Sequence, residues 1–290
     1  MQGRIIKGVG GSYEVYTAEG IYTCKPKGIF RKNHVKPLIG DKVEVEILPE
    51  EDFCGLISEI YDRTKELIRP NVANVDEALI IFALQNPEPN FVTLDKMILQ
   101  YSSQDLPVNL CFNKDDLADG KFAREVLEDY KDFGGKVFLT SVKEKSGIDE
   151  VRAQLRGKTT TVAGPSGVGK SSIINCLCRE SVAAVGDISR KLQRGKHTTR
   201  HSEIIPIDEN TYIIDTPGFS SFDLFDINAE DIGNYYNEFS DYTACRFAPC
   251  SHTHEPQCGV KEAVEKGLVS RRRYENYVHI FKEVTNSRRY

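Results

Sequence analysis

Residues 159–178 read TTTVAGPSGVGKSSIINCLC, which is a short apolar segment followed by a glycine-rich loop and a helical stretch. The loop at 164–171 matches the GxxxxGK[ST] pattern of a P-loop, and a strand before it and a helix after it are the context that this pattern requires. Its glycines let backbone N–H groups surround phosphates at the positive end of a helix. This stretch therefore predicts an α/β fold that binds a nucleotide.

The loop also supplies the predicted phosphate and magnesium ligands. We expect Lys170 to reach the β- and γ-phosphates and to take part in catalysis, and the Ser171 hydroxyl to ligate Mg²⁺. The residues predicted to contact the nucleotide here are Gly164, Pro165, Ser166, Gly167, Val168, Gly169, Lys170, Ser171 and Ser172.

A motif for base recognition precedes the P-loop. Asn113, Lys114 and Asp116 form an NKxD motif directly after the predicted strand 108–112, at the carboxyl end where ligands bind in such sheets. A carboxylate only accepts hydrogen bonds, guanine offers donors at N1 and N2, and adenine has an acceptor at N1. Asp116 therefore predicts guanine specificity, because the wrong base would leave the carboxylate unpaired.

The other parts of this pocket have distinct predicted roles. We expect Asn113 to brace the loop and the Lys114 stem to cover one face of the base. Ser141 and Val142 follow the predicted strand 137–139, and we expect the Ser141 N–H to lie near guanine O6.

Residues after the P-loop predict a γ-phosphate sensor. Asp215-Thr-Pro-Gly218 follows the predicted strand 212–214. Asp215 would hold Mg²⁺ through water, and the Gly218 N–H would contact the γ-phosphate. In the intervening segment we favour Thr199 over Thr198 as a magnesium ligand that is ordered only with GTP.

The residue after Gly218 is Phe219, where many G proteins have a glutamine that orients the attacking water. A phenyl ring cannot orient water, so we expect slow hydrolysis without a partner. His197 is the candidate catalytic residue in this chain. It is equally explained as a polar loop residue or an RNA contact.

The motif order is circularly permuted. In conventional notation the elements run G4-G5-G1-G2-G3, so base recognition comes before the P-loop. The DxxG motif then lies closer in sequence to the C-terminal region than to the N-terminus. From this order we expect the state of the nucleotide to be coupled most directly to the C-terminal domain.

A cysteine and histidine cluster near the C-terminus predicts one structural zinc ion. Cys245, Cys250, His252 and Cys258 form the pattern CxxxxCxHxxxxxC. Three thiolates and an imidazole are an accepted tetrahedral zinc set with no open position. His254 is an alternative ligand.

Three domains are predicted from the patterns along the chain. Residues 1–65 contain five short strands suited to an OB-like barrel, 66–222 alternate strands and helices, and 223–290 are mainly helical. The segment 1–36 carries seven Lys or Arg against two Glu, which suits either an RNA-facing surface or a solvated face. Arginines at 271–273 and 288–289 leave the same choice open.

The composition narrows the class of protein. A net charge of −5 in 290 residues argues against a wholly basic nucleic-acid binder. No apolar run is long enough to span a bilayer, and no signal peptide is apparent, so we expect a cytoplasmic protein without membrane attachment. Scattered single cysteines fit a reducing compartment. We expect a monomer.

Taken together, the motifs resemble one family, the circularly permuted, ribosome-associated GTPases called RsgA, also YjeQ or YloQ. The resemblance covers the basic OB-like region, the NKxD motif, GPSGVGKS at 164–171, HTT at 197–199, DTPG at 215–218 and the zinc pattern. It implies a GTPase that is stimulated by the small (30S) ribosomal subunit and acts late in the maturation of that subunit. It also implies that the OB and zinc domains bind ribosomal RNA and that His197 takes part in hydrolysis.

Two other classes of function remain open from the residues alone. One is an RNA-binding module whose nucleotide only stabilises the fold, and the other is an ATP-using P-loop enzyme. Intact Lys170, Ser171 and Asp215 argue against the first class, and Asp116 argues against the second. A turnover assay tests the RNA-binding module, and the relative affinity for GTP and ATP tests the ATP-using enzyme.

Overall fold

The computed structural model describes residues 1–49, 52–68, 70–181, 203–208, 210–215 and 227–287. The predicted site residues His197, Thr199 and Gly218 lie outside these ranges, as do Thr198 and Phe219.

The N-terminal region forms a closed barrel with the strand order β1-β2-β3-β5-β4. Its strands are β1 (Gln2–Val9), β2 (Ser12–Thr17), β3 (Gly20–Pro26), β4 (Lys42–Ile47) and β5 (Cys54–Ile60), and a short helix α1 (Gly28–Lys32) follows β3. Alternate side chains point inward, as the pleat requires, and Ile5, Val15 and Ile57 are fully buried in the barrel core. The five strands predicted from the sequence are confirmed.

Central strands and helices alternate along the chain, as predicted. A two-stranded ribbon of β6 (Glu66–Leu67) and β7 (Val72–Ala73) precedes them. The strands are β8 (Glu77–Ala83), β9 (Val108–Asn113), β10 (Val137–Leu139), β11 (Thr159–Ala163), β12 (Glu203–Pro206) and β13 (Tyr212–Asp215). The helices are α2 (Phe91–Ser102), α3 (Gly120–Tyr130), α4 (Ile148–Leu155) and α5 (Lys170–Ser181).

The strand pairing is mainly parallel. β9 pairs with both β8 and β10 in parallel, and β11 pairs with β13 in parallel. β12 pairs with β13 in the antiparallel sense. Strands β8, β9 and β11 are buried along their whole length. This burial explains the long apolar run of β8, whereas β11 buries three threonines.

The C-terminal region is helical around the cysteine cluster. Two short 3₁₀ helices (Ala229–Tyr235 and Asn237–Tyr242) precede the cluster, and α6 (Gly259–Glu265) and α7 (Arg271–Ser287) follow it. Tyr277, Ile280 and Val284 place one apolar face of α7 in a core shared with Phe239 and Val260.

The structure divides into two compact units. One contains Met1–Glu77, Arg152–Val162 and Ile174–Pro217, and the other contains Ala78–Val151, Ala163–Ile173 and Gly218–Tyr290. The first unit therefore includes the barrel together with β12 and β13. The second includes β9, β10, the whole P-loop and the C-terminal helices.

Candidate nucleotide site and metal centre

At two positions of the P-loop, glycine is required both by a positive φ angle and by the lack of space for a Cβ atom. Gly164 and Gly169 have φ angles of +147° and +98°, in the left-handed region. A Cβ atom would lie 2.1 Å from the Ile81 carbonyl oxygen at Gly164 and 2.3 Å from Asn113 Nδ2 at Gly169. Any side chain at these positions would therefore displace either the neighbouring strand or the base-recognition motif.

Lys170 is the first residue of α5, and its ammonium group points back into the loop. Its Nζ donates to the carbonyl oxygens of Gly164 and Pro165 at 2.8 and 2.7 Å. The positive charge is thus held inside the curve of the P-loop, where the helix dipole also favours an anion. The phosphate-binding role of Lys170 stays a prediction.

The NKxD motif is hydrogen-bonded to the P-loop. Asn113, at the end of β9 and only 2% exposed, donates from Nδ2 to the Val168 carbonyl oxygen at 2.8 Å. Lys114 has a left-handed backbone with φ of 64°, and its Nζ donates to the Gly167 carbonyl oxygen at 2.8 Å. The bracing role predicted for Asn113 therefore has a direct geometric basis, and the base and phosphate motifs form one structure.

Ser141 orients the Asp116 carboxylate. The Ser141 hydroxyl donates to Asp116 Oδ1 at 2.5 Å, and Lys143 Nζ lies 3.6 Å from Asp116 Oδ2. The Ser141 hydrogen bond, and secondarily the charge of Lys143, lower the pKa of Asp116. Asp116 is therefore ionised at neutral pH and available as an acceptor for two adjacent donors.

The predicted role of the Ser141 backbone needs correction. Its N–H donates to the Ser146 carbonyl oxygen at 3.1 Å, and the Ser146 N–H donates back to Ser141. This small bridge closes the loop and engages the amide that we expected to face guanine O6. Ser141 serves the site through its hydroxyl group instead.

Two further residues of this site were not identified from the sequence. The Asn86 carbonyl oxygen accepts from Lys114, and Lys143 faces Asp116. Thr140, which the sequence places with Ser141 in the loop predicted to lie over the base, donates from its hydroxyl to Asn113 Oδ1 at 3.2 Å. A lysine two residues after Ser141 was a usable signal, because a cation near the end of β10 would be expected to face the Asp116 loop. The contribution of Asn86 comes from its backbone and leaves no signal in the sequence.

Asp215 is the last residue of β13, one residue beyond the end of the predicted strand 212–214. It is in register with Val162 on β11 and with Glu203 on β12, so it lies at the carboxyl end of this strand pair. That is the edge at which nucleotide ligands are bound in parallel sheets.

The four predicted zinc ligands lie together. The ligand atoms of Cys245, Cys250, His252 and Cys258 are all within 4.8 Å of one another. Cys245 Sγ lies 3.8 Å from Cys258 Sγ and 3.6 Å from His252 Nδ1. Tetrahedral zinc with Zn–S distances of about 2.3 Å would separate two thiolates by about 3.8 Å. The cluster therefore has the geometry to hold a metal ion.

Neighbouring side chains fix the loop that carries these ligands. Tyr274 on α7 donates its hydroxyl to the His252 carbonyl oxygen at 2.9 Å, and Phe239 meets the His252 ring edge-on at 5.9 Å. Glu255 accepts from the backbone N–H groups of Ser251 and Thr253 at 2.8 and 3.1 Å. His254 bonds instead through Nδ1 with the Thr253 hydroxyl, so the geometry favours His252 as the ligand.

Comparison with models of known protein families identifies the family of this chain. The model of the RsgA GTPase family matches residues 60–225, which is more than half of the chain. The chain belongs to the RsgA GTPase family. A model of the RsgA N-terminal domain matches residues 2–57, which covers almost the whole barrel.

Curated relatives match along their full length. A protein of Agathobacter rectalis named small ribosomal subunit biogenesis GTPase RsgA is 50% identical, with 100% of both chains covered. A relative with the same name from Alkaliphilus metalliredigens is 39% identical over 100% of this chain and 99% of its own.

Solved structures of the RsgA family share the fold. YjeQ from Thermotoga maritima is 34% identical, with a TM-score of 0.79 and 98% of each chain covered. YloQ, described as a circularly permuted GTPase, is also 34% identical, with a TM-score of 0.77 over 99% of this chain and 95% of its own. These matches confirm the predicted fold class: an N-terminal barrel, a permuted GTPase fold and a C-terminal Cys/His cluster. Within the described ranges, no helix is both long enough and apolar enough to cross a membrane.

Proposed function

We propose that this RsgA-family GTPase hydrolyses GTP to GDP and phosphate, is stimulated by the small ribosomal subunit, and acts late in the maturation of that subunit. The observation that carries the nucleotide part is the Asp116 carboxylate, which Ser141 holds at 2.5 Å in a loop bonded to the P-loop. The ribosomal part is supported by the names of full-length relatives.

Base recognition would follow from this carboxylate. Asp116 would accept from guanine N1–H and N2–H₂, whereas adenine presents no matching pair of donors. Because the Ser141 N–H bonds to Ser146, we assign the contact to guanine O6 to the next residue, Val142. The Lys114 stem would lie along the face of the base.

Phosphate binding would use the P-loop amides and the Lys170 ammonium group. Lys170 would exchange its bonds with two loop carbonyl oxygens for the β- and γ-phosphate oxygens. Ser171, Thr199 and Asp215 would hold Mg²⁺, which neutralises charge that develops on the phosphates. Gly218 would contact the γ-phosphate. Phe219 cannot orient water. We therefore assign that task to His197 of this chain, acting while the protein is bound to the small subunit.

The flanking regions would provide the attachment to RNA. We propose that residues 1–65 and 223–290 contact ribosomal RNA and that 66–222 form the GTPase domain. The four-ligand cluster would hold one structural zinc ion, because its soft thiolates select zinc over magnesium and leave no open position. We propose that the protein works as a monomer in the cytoplasm, where its RNA partner lies.

Nucleotide titrations and phosphate-release assays test the proposed activity. We expect GTP and GDP to bind much more tightly than ATP, and slow release of phosphate from GTP alone. Comparable affinity for ATP would contradict the assigned role of Asp116. Tight GTP binding without any turnover, with or without small subunits, would favour an RNA-binding module in which the nucleotide only stabilises the fold.

A further inference from the structure

The barrel contacts β12 and β13. Strand β12 follows the predicted magnesium ligand Thr199 in the chain, and β13 ends at Asp215, the first residue of the predicted γ-phosphate sensor. Strand β1 packs against β12, and Lys7 Nζ lies 3.7 Å from Glu203 Oε1 at the start of β12. The Arg4 guanidinium lies over the ring of Tyr212, the first residue of β13, at 4.5 Å from the ring centroid. One strand of the barrel therefore contacts both β12 and β13.

Arg4 is buried in this contact and also bonded to the segment that joins the barrel to β8. It is 8% exposed and donates from its guanidinium to the Asn74 carbonyl oxygen at 2.9 Å. Two residues later, the Asp76 N–H donates to the Thr159 carbonyl oxygen at 2.9 Å, and its carboxylate accepts from the Thr159 N–H at 2.7 Å. Residues 74–76 therefore link β1 to β11 through hydrogen bonds at Asn74 and Asp76, and β11 itself pairs with β13.

The C-terminal domain is attached to the base-recognition side. Buried Arg273 on α7 forms ion pairs with Asp95 on α2 and with Glu238. Arg272 forms an ion pair with Asp129 on α3 and lies over the Phe91 ring at 4.6 Å. Helix α2 in turn packs on β9, the strand that ends at Asn113.

Chain order predicts coupling of the nucleotide state to the C-terminal domain, and the contacts of β1 support an alternative route through the barrel. Strand β12 begins four residues after Thr199, and β13 ends at Asp215. A γ-phosphate that engages these residues would act on the two strands that β1 contacts. We propose that the N-terminal barrel, through Arg4 and Lys7, senses the γ-phosphate, whereas the C-terminal domain moves with the base-recognition half. This inference rests on the proposed GTP binding.

Hydrogen exchange on the full-length protein with GDP and with a non-hydrolysable GTP analogue tests the proposal. We expect exchange in peptides covering β1 to be at least about twofold slower with the analogue than with GDP. Peptides covering α7 should exchange equally in both states. Equal exchange at β1, or a larger difference at α7, would overturn the proposal.

Two matched arginine substitutions provide the control. Each of Arg4 and Arg272 lies over an aromatic ring, and methionine retains much of the buried stem in either position. We expect Arg4→Met to abolish the γ-phosphate effect at β1 and Arg272→Met to leave it unchanged. Lys7→Met removes a partly exposed ion pair and should weaken the same effect. This variant provides the test if Arg4→Met does not fold. An effect that persists in both Arg4→Met and Lys7→Met would refute these contacts as the route.

Peptides covering the P-loop separate this proposal from the proposed function. If neither nucleotide protects these peptides, GTP binding itself is wrong and the inference fails with it. If both nucleotides protect them and β1 shows no difference, GTP binding stands and only the coupling is wrong.

Discussion

Replacing Asp116 by asparagine isolates one functional group of the proposed guanine pocket. The Ser141 hydroxyl, now 2.5 Å from Oδ1, can still donate to the amide oxygen, so the side chain keeps its orientation. The second acceptor becomes an NH₂ group that faces the donors of guanine. Asp116→Asn therefore changes hydrogen-bonding capacity with little change of shape.

The expected magnitude follows from the acceptor that is lost. A hydrogen bond to a charged group contributes about 1.5–3 kcal/mol, and the guanine donor that then faces NH₂ is left unsatisfied, so the substitution costs about 3 kcal/mol. That free energy corresponds to a Kd for GDP that is weaker by about 10²-fold. Xanthine has a carbonyl group where guanine has N2–H₂, so the variant should bind xanthosine diphosphate better than the parent protein does.

Calorimetric titration of the parent protein, Asp116→Asn and Asp115→Asn measures this effect. Asp115 provides a matched control, because it is the adjacent carboxylate and has the same change of charge on substitution. We expect Asp115→Asn to bind GDP nearly as the parent protein does. An unchanged Kd for Asp116→Asn, or equal losses in the two variants, would refute the assignment of Asp116 to the base.

Other substitutions test separate parts of the structure. Lys170→Ala should abolish turnover in a phosphate-release assay, because the P-loop then lacks the ammonium group that would contact the γ-phosphate. Unchanged kinetics would place the site elsewhere. Mass spectrometry of the native protein should find one zinc per chain, which Cys250→Ala loses and His254→Ala retains. Loss of zinc in His254→Ala would make His254 a ligand, and retention of zinc in Cys250→Ala would remove Cys250 from the ligand set. Arg273→Met should lower stability by about 3–5 kcal/mol, since it leaves the buried Asp95 carboxylate without its cation. Chemical denaturation measures that loss, and a change below about 1 kcal/mol would mean that the pair contributes little.

Sequence patterns identified most strands because local burial dictates them. The apolar runs at 78–84 and 108–112 became the buried strands β8 and β9, and the short run around Ile204 and Ile205 became the edge strand β12. The four zinc ligands could be predicted for a similar reason. They lie close together in the chain, and their chemical types define the site.

Features that depend on distant residues could not be predicted. Helix α2 was not identified, and its buried face includes Asp95, a carboxylate whose partner Arg273 lies 178 residues away. The Ser141 amide was assigned to the base because the bridge to Ser146 depends on how the loop closes. Attachment of the barrel to β12 and β13 also depends on tertiary packing, and no pattern along the chain indicates it.

Phosphate release from GTP, measured with and without purified small ribosomal subunits, tests the central claim most directly. Large subunits serve as the control for RNA that has no specific role. We predict slow turnover alone, a rise of at least about tenfold with small subunits, and little change with large subunits. Equal rates under all three conditions would contradict the claim that the small subunit completes a site lacking a water-orienting residue at Phe219.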